Sequence, residues 1–426
     1  MSPKPQWTRV CGVVALTVCW TPVQAQLRAA DWSAFRGANH QGTTADSKIP
    51  TEWSDSKNLG WKLELPGRGF SSPIVVGQSV FVTTYTSRSN DLKDLKRHLV
   101  CIDRQTGKIS WSKGVESSTT QSRGASFGTR HGFASHTPVS DGERVYVFFG
   151  NSGVIAFDLQ GQQLWQTGVG TESASMFGSA ASPILHKDHV IVTAASESES
   201  IRALDKKTGK EVWKAEAGTL SRCYATPVIA QDAQGQDIVL ISVPYELWGV
   251  NPANGKLKWY AETEVDTNSC PSVVTHDGIA YVIGGRAPGG RAAVRIGGKG
   301  DVTKSNVLWS TTGGSYVPSP VLYQSHLYWV DDRGVAHCID ATSGKETNKK
   351  RLRGQFYASM LLVRDKLYAV SRFSGTHVLE ATPKLTQVAS NTLDDESDFS
   401  ASPAVSNGQL FLRSEKFLYC VQTTEK

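Results

Sequence analysis

The chain has 426 residues, 39% of them hydrophobic and 20% charged, with 39 glycines, 12 tryptophans, only 3 methionines and a formal net charge of +6. That length can bury a large core, and an all-β architecture can hold it in one domain. The densest basic cluster, Lys345, Lys349, Lys350, Arg351 and Arg353, reads as a solvated turn, and no basic stripe interleaved with aromatics appears, so nucleic acid is set aside as a partner.

The N-terminus reads as an export leader. Lys4 and Arg9 precede an apolar run, Val10–Trp20, too short to span a bilayer; Pro22 breaks it, and Val23-Gln24-Ala25 offers a cleavage site after Ala25. Val18, not a small residue, stands before Cys19, which argues against lipidation. No later segment is apolar enough to cross a membrane. The expected organisation is therefore a leader over 1–25, an extended arm over 26–52 and one repeat domain over 53–426, in the periplasm or secreted, as a monomer.

The arm holds Trp32, Phe35-Arg36-Gly37 and Asn39 without periodicity, and Trp61–Leu65 then alternates like a strand. A repeat follows, plainest at Ser182–Ala215. Four short β runs there are separated by turn chemistry, the last turn bracketed by Asp205 and Gly209. The carboxylate can accept backbone N–H groups, and glycine tolerates the positive φ of a tight hairpin. An anchor, usually Ser-Pro or Thr-Pro, recurs at Pro73, Pro138, Pro183, Pro227, Pro271, Pro320, Met360 and Pro403, spaced 40 to 49 residues apart after a first interval of 65. Four strands per unit at that period predict an all-β, eight-bladed β-propeller of four-stranded antiparallel blades. The eighth unit ends at its third strand, Phe417–Val421; pairing Trp61–Leu65 with it closes the ring and leaves no open edge.

The outer-strand tryptophans Trp111, Trp165, Trp213, Trp259 and Trp309 read as plates between blades, each N–H needing a partner. In the unit after Pro271 a longer loop, Gly297–Asp301, replaces the usual turn. Cys101, Cys338 and Cys420 fall in one small, apolar repeat slot and read as buried fillers. Cys223 and Cys270 each precede an inner strand; a bridge between them stays open, because spacing does not fix the Cα separation it demands.

Connections into the inner strands and the loops between second and third strands share one face around the channel. They supply Arg68, Phe70, His131, His136, Phe177, Arg222, Tyr224, Glu246, Arg286, Arg333, Tyr357 and Arg372 as candidate ligand-binding residues, with Tyr316, Asp398 and Glu197 beside them. For any one of these a solvated rim is the competing explanation, but an aromatic mouth with interspersed charges is what a ligand funnel looks like. The longest insertion, Glu116–His136, carries Arg123, Arg130, His131 and His136. Two loop histidines without a neighbouring cysteine or carboxylate make a poor metal signature. No catalytic constellation is assignable from spacing.

The repeated Ala-Leu-Asp-x-x-Thr-Gly-Lys-x-x-Trp at Ala203–Trp213, with variants at Cys101, Ala156 and Gly249, resembles the pyrroloquinoline-quinone-like β-propeller repeat family. Trp32…Phe35-Arg36-Gly37, Gly67–Pro73 and Asp398–Pro403 are similar to exported propellers of planctomycete-type bacteria. The resemblance implies two classes of function. One is an exported binding or scaffold module for a protein or glycan in the cell envelope, similar to the propeller subunit of the outer-membrane barrel-assembly machinery. The other is a quinone-dependent alcohol or sugar dehydrogenase with pyrroloquinoline quinone and calcium. The family's enzymes clamp the quinone with a disulfide of adjacent cysteines, and this sequence has no adjacent pair. The reading therefore leans to a non-enzyme without cofactor or metal.

Overall fold

A computed structural model describes residues 31–424 apart from 47, 88–93, 118–132, 173, 176 and 287. The expected leader (1–25) and His131 lie outside the described residues. Among the described residues there are eight sheets, each built on four antiparallel strands. Their inner strands are Ile74–Val76, Val139–Ser140, Ile184–His186, Val228–Gln231, Val274–His276, Val321–Tyr323, Leu361–Val363 and Ala404–Ser406, numbered here as blades 1 to 8. In blade 3 the strands Ile184–His186, His189–Ala194, Ser200–Asp205 and Glu211–Glu216 pair in chain order, with Ile191 opposite Ala203 and Ala203 opposite Trp213. A single helical turn, Ala195–Ser198, occupies the polar break between its second and third strands.

The ring closes as the pattern requires, with a small change of register. The strand from the N-terminal side is Leu59–Glu64, and it pairs antiparallel with Phe417–Gln422, Trp61 facing Cys420 and Lys62 facing Tyr419. The apolar core lies between blades rather than within a single layer. One cluster joins Ile184, Ile191 and Trp213 of blade 3 to Val239 and Ile241 of blade 4, and another joins blades 8, 1 and 7.

The repeat motif is an inter-blade latch. Trp165, on the outer strand of blade 2, donates Nε1–H to the Lys206 carbonyl of blade 3 at 3.1 Å, and its ring lies flat on Gly209. A Cβ on Gly209 would come within 2.6 Å of that ring, and φ there is +72°. Asp205 Oδ1 holds the same turn by accepting both the N–H and the hydroxyl of Thr208 at 2.8 Å, which keeps its carboxyl below the usual range. Trp61, Trp111, Trp213 and Trp309 repeat the bond onto blades 1, 2, 4 and 6.

Blade 5 lacks the turn, and the latch changes form there. Trp259 folds across its own blade, where a Cβ on Gly249 would meet it at 2.2 Å, and Gly300–Asp301 pairs parallel beside Trp259–Tyr260. The small-residue slot therefore becomes glycine in the one blade whose tryptophan needs that space. Cys101, Cys338 and Cys420 are buried free thiols in the same slot of their blades, and burial pushes their pKa up to about 11, 11 and 12.

Candidate functional site

Each chain entering an inner strand turns alternate side chains toward the axis, because successive residues of an extended segment face opposite sides. Two stacked rings result. The lower holds Ser72, Thr137, Ser182, Thr226, Ser319, Ser359 and Ser402; two residues earlier, the upper holds Phe70, Ser135, Ala180, Tyr224, Cys270, Val317, Tyr357 and Ser400. All fifteen line one cavity of about 190 Å³, together with Phe177, Ser179, Tyr316 and Phe35.

The lower ring is bonded to itself around the channel. Ser72 N–H donates to Thr137 Oγ1, Thr137 to Ser182, Ser182 to Thr226, Ser272 to Ser319, Ser319 to Ser359, Ser359 to Ser402 and Ser402 back to Ser72, at 2.9–3.0 Å. The circle is broken between blades 4 and 5, where Ser272 Oγ is buried without a partner. The anchor in blade 5 is accordingly Ser272-Val273, two residues beyond the expected Pro271. Cys270 then takes the upper-ring position.

The thiol pair is settled by the same alternation. Cys223 and Ser269 face each other across a parallel bridge, and both reach Ser242, Cys223 Sγ to its carbonyl at 3.3 Å and Ser269 Oγ to its hydroxyl at 2.7 Å. Cys270, next in the chain, points the other way, into the cavity, so both cysteines are free thiols. Burial pushes both thiols up to about 12, which leaves Cys270 a poor nucleophile.

The arm closes the far end. It bridges Trp32 to Val75 of blade 1 and passes Ser33 to Ser140 of blade 2; Gln41 then reaches Thr275 of blade 5, and Thr43–Thr44 pairs parallel with Leu362–Val363 of blade 7. Between these ties Phe35 forms the cavity floor. The Arg36 guanidinium is fully buried beside it, donating from Nη2 to the carbonyls of Gln41 (2.9 Å) and Pro320, while Nε and Nη1 have no partner. Burial lowers its pKa to about 9. The channel is thus a dead-end pocket.

Of the residues expected at the mouth, Phe70, Phe177, Tyr224 and Tyr357 line this cavity. Arg372 stands at its edge, forked on Asp398 and 4.4 Å above the Tyr357 ring. Arg68 pairs loosely with Glu415 at 3.6 Å. Arg222 and Arg286 are exposed, and the Arg333 side chain is exposed beside Asp331 at 3.3 Å; none of the three lines the cavity. Two more of the expected residues stand off the cavity wall. Glu246 does not line it and accepts the indole N–H of Trp248. His136, one residue from the ring, is buried against Phe148 with both ring nitrogens unpartnered, and burial with nearby Arg97 drops its pKa to about 3. A carboxylate is buried on the same side: Glu197, raised to about 7 by burial against the opposing pull of Ser179 and Arg97. The hydroxyl ring and the Phe35 floor were missed. The ring had a visible signal in the Ser or Thr before almost every anchor, whereas nothing in the arm marked Phe35 as its floor.

The profile of the family described as "Outer membrane protein assembly factor BamB" matches residues 44–176 and 298–392, more than half of the chain. The chain belongs to that family. A curated member, the outer membrane protein assembly factor BamB of Moranella endobia (strain PCIT), is 26% identical over 224 residues, covering 52% of this chain and 51% of the relative, so the chain spans about half of that relative's length. Among solved structures, BamB from Moraxella catarrhalis superposes with a TM-score of 0.62 at 14% identity, covering 86% of this chain and 98% of that one. A europium-containing methanol dehydrogenase reaches 0.64 at 11% identity, covering 90% and 89%. At these identities both structures share the propeller fold with this family member and nothing finer.

Proposed function

We propose that the protein is an exported, non-catalytic scaffold of the cell envelope that docks a protein partner on the aromatic mouth of the propeller. The observation that carries this reading is the cavity wall. No residue lining it carries a charge, and each lower-ring hydroxyl oxygen already accepts a backbone N–H. Acid–base or nucleophilic work needs a group poised to titrate or attack, and the one thiol present is held protonated. The family's name, an outer membrane protein assembly factor, supports a partner in that compartment.

The fit of the cavity favours this reading over the dehydrogenase alternative. Pyrroloquinoline quinone is a fused three-ring tricarboxylate, and a cavity of about 190 Å³, little more than the ~150 Å³ that holds one benzene ring, is small for it. No cationic side chain lines the wall itself to pair with three carboxylates, and among the described residues no cluster of His, Cys, Asp or Glu is arranged to hold a metal.

A photo-crosslinker at Tyr357 and another at the outer-strand position Val212, in cells, test the reading. Adducts to one envelope protein from Tyr357 and not from Val212 are expected; adducts to glycan, or to nothing at both positions, overturn it. Titration with pyrroloquinoline quinone and calcium is expected to give neither a bound chromophore nor dye reduction. Export is checked on the same material, whose N-terminal residue is expected to be Gln26.

A further inference from the structure

We infer that the central cavity is a binding site for a single carboxylate borne on one aromatic ring. This goes beyond the scaffold reading and holds whether or not a protein covers the mouth.

The wall is unbalanced in its hydrogen bonding. A hydroxyl has one proton to give and room to accept. Each of the seven ring oxygens accepts a backbone N–H, and none of the seven O–H groups donates to another described residue. Seven protons therefore remain for whatever occupies the cavity, and an acceptor-only head group suits them. An ionised carboxylate is such a group.

The charge around the wall has the same sign. Arg36 lies beneath the ring: its Nη2 bonds Pro320, the neighbour of Ser319, and it packs on Gly42, where a Cβ would meet both the guanidinium at 3.0 Å and the carbonyl of Met360, the neighbour of Ser359, at 3.3 Å. Arg413 lies behind the ring on the other side, donating from Nη1 to Ser71, the neighbour of Ser72, and from Nη2 to the Thr83 carbonyl at 2.7 Å. Both guanidiniums are buried, neither has an acid beside it, and burial alone lowers each to about 9. Two uncompensated buried cations are costly unless something returns negative charge to them. An anion in the cavity does so.

Size and the upper ring define the rest of the ligand. Phe70, Tyr224, Tyr316, Tyr357 and Phe177 form a collar above the hydroxyls. A cavity of ~150 Å³ holds a benzene ring, so about 190 Å³ accommodates one ring with its carboxylate below.

Isothermal titration of the purified full chain with phenylacetate, 2-phenylacetamide and acetate tests this. Phenylacetate is expected to bind at least about tenfold more tightly than either of the others, and Arg36→Met to remove about tenfold of that affinity. Equal binding of the amide, or no heat from phenylacetate up to about 10 mM, overturns the inference even if Arg36→Met does not fold. Two tetrapeptides ending in Phe, one with a free and one with an amidated terminus, separate the sources. If the free-ended peptide outbinds phenylacetate, the natural ligand is a chain terminus; if phenylacetate wins, it is a free acid. Because no partner protein is present, failure here leaves the crosslinking result untouched.

Discussion

Glu197 and His136 are buried on the same side of blades 1 to 3, and their titrations oppose one another. Glu197 ionises at about 7 in the fold against 4.5 unfolded, so the native state holds the extra proton between those values and stability falls as pH rises through them. His136 ionises at about 3 against 6.5, so there the unfolded state holds the extra proton, and stability is lost as pH falls below the unfolded value. Maximum stability is therefore expected between roughly pH 5 and 6.5. Glu197→Gln should stabilise the protein by ~1–3 kcal/mol at pH 8, with the gain vanishing below about pH 4.5, as read from urea unfolding across pH. Neither burial was visible in the sequence. Glu197 reads as one more acid of the loop face, and the helical turn Ala195–Ser198 that tucks it inward has no signature in so short a segment.

The blade motif, by contrast, was legible to the residue. Asp, Thr, Gly and Trp recur because each has one task in the latch, and the repeat displays the demand several times over. The task of Gly209 is two-sided: it supplies positive φ and leaves room for Trp165. Gly77 has positive φ too, +57°, with nothing within 4 Å of its would-be Cβ. Gly77→Ala should thus cost ~1 kcal/mol from backbone strain, whereas Gly209→Ala should cost ~3 kcal/mol or more. Trp213→Phe, which keeps an apolar plate but loses the 2.9 Å bond to the Pro252 carbonyl, should cost about 1–2 kcal/mol by the same denaturation assay. The register of blade 5 was misread because Cys270-Pro271 imitates an anchor, while the residue that joins the ring, Ser272, is followed by valine. Proline there is a frequent choice, not a requirement; the Ser or Thr two residues before the inner strand is the constant element.

At the scale of the whole molecule the fold and its closure followed from period and leftover strands, but the path of the arm did not, since it has no repeat to copy. Its role as a floor is testable through the one thiol above it. Phe35→Ala should open the channel at both ends and raise the rate of Cys270 alkylation at least about tenfold, with Cys223, which faces Ser242 rather than the cavity, unchanged. Mass spectrometry distinguishes the two sites. A chain ending at Lys416 leaves Leu59–Glu64 without its partner, and loss of the single cooperative transition is the expected outcome by calorimetry.

That pairing also orders events in time. Leu59–Glu64 is synthesised well before its partner Phe417–Gln422, with seven blades between them. Seven sheets can assemble on a growing chain, but the eighth must wait until Phe417–Gln422 has been made, with a hydrophobic edge bare until then. A polypeptide built this way keeps one sheet open until its two most widely separated strands meet, so the slowest contact to form is also the one that locks the ring.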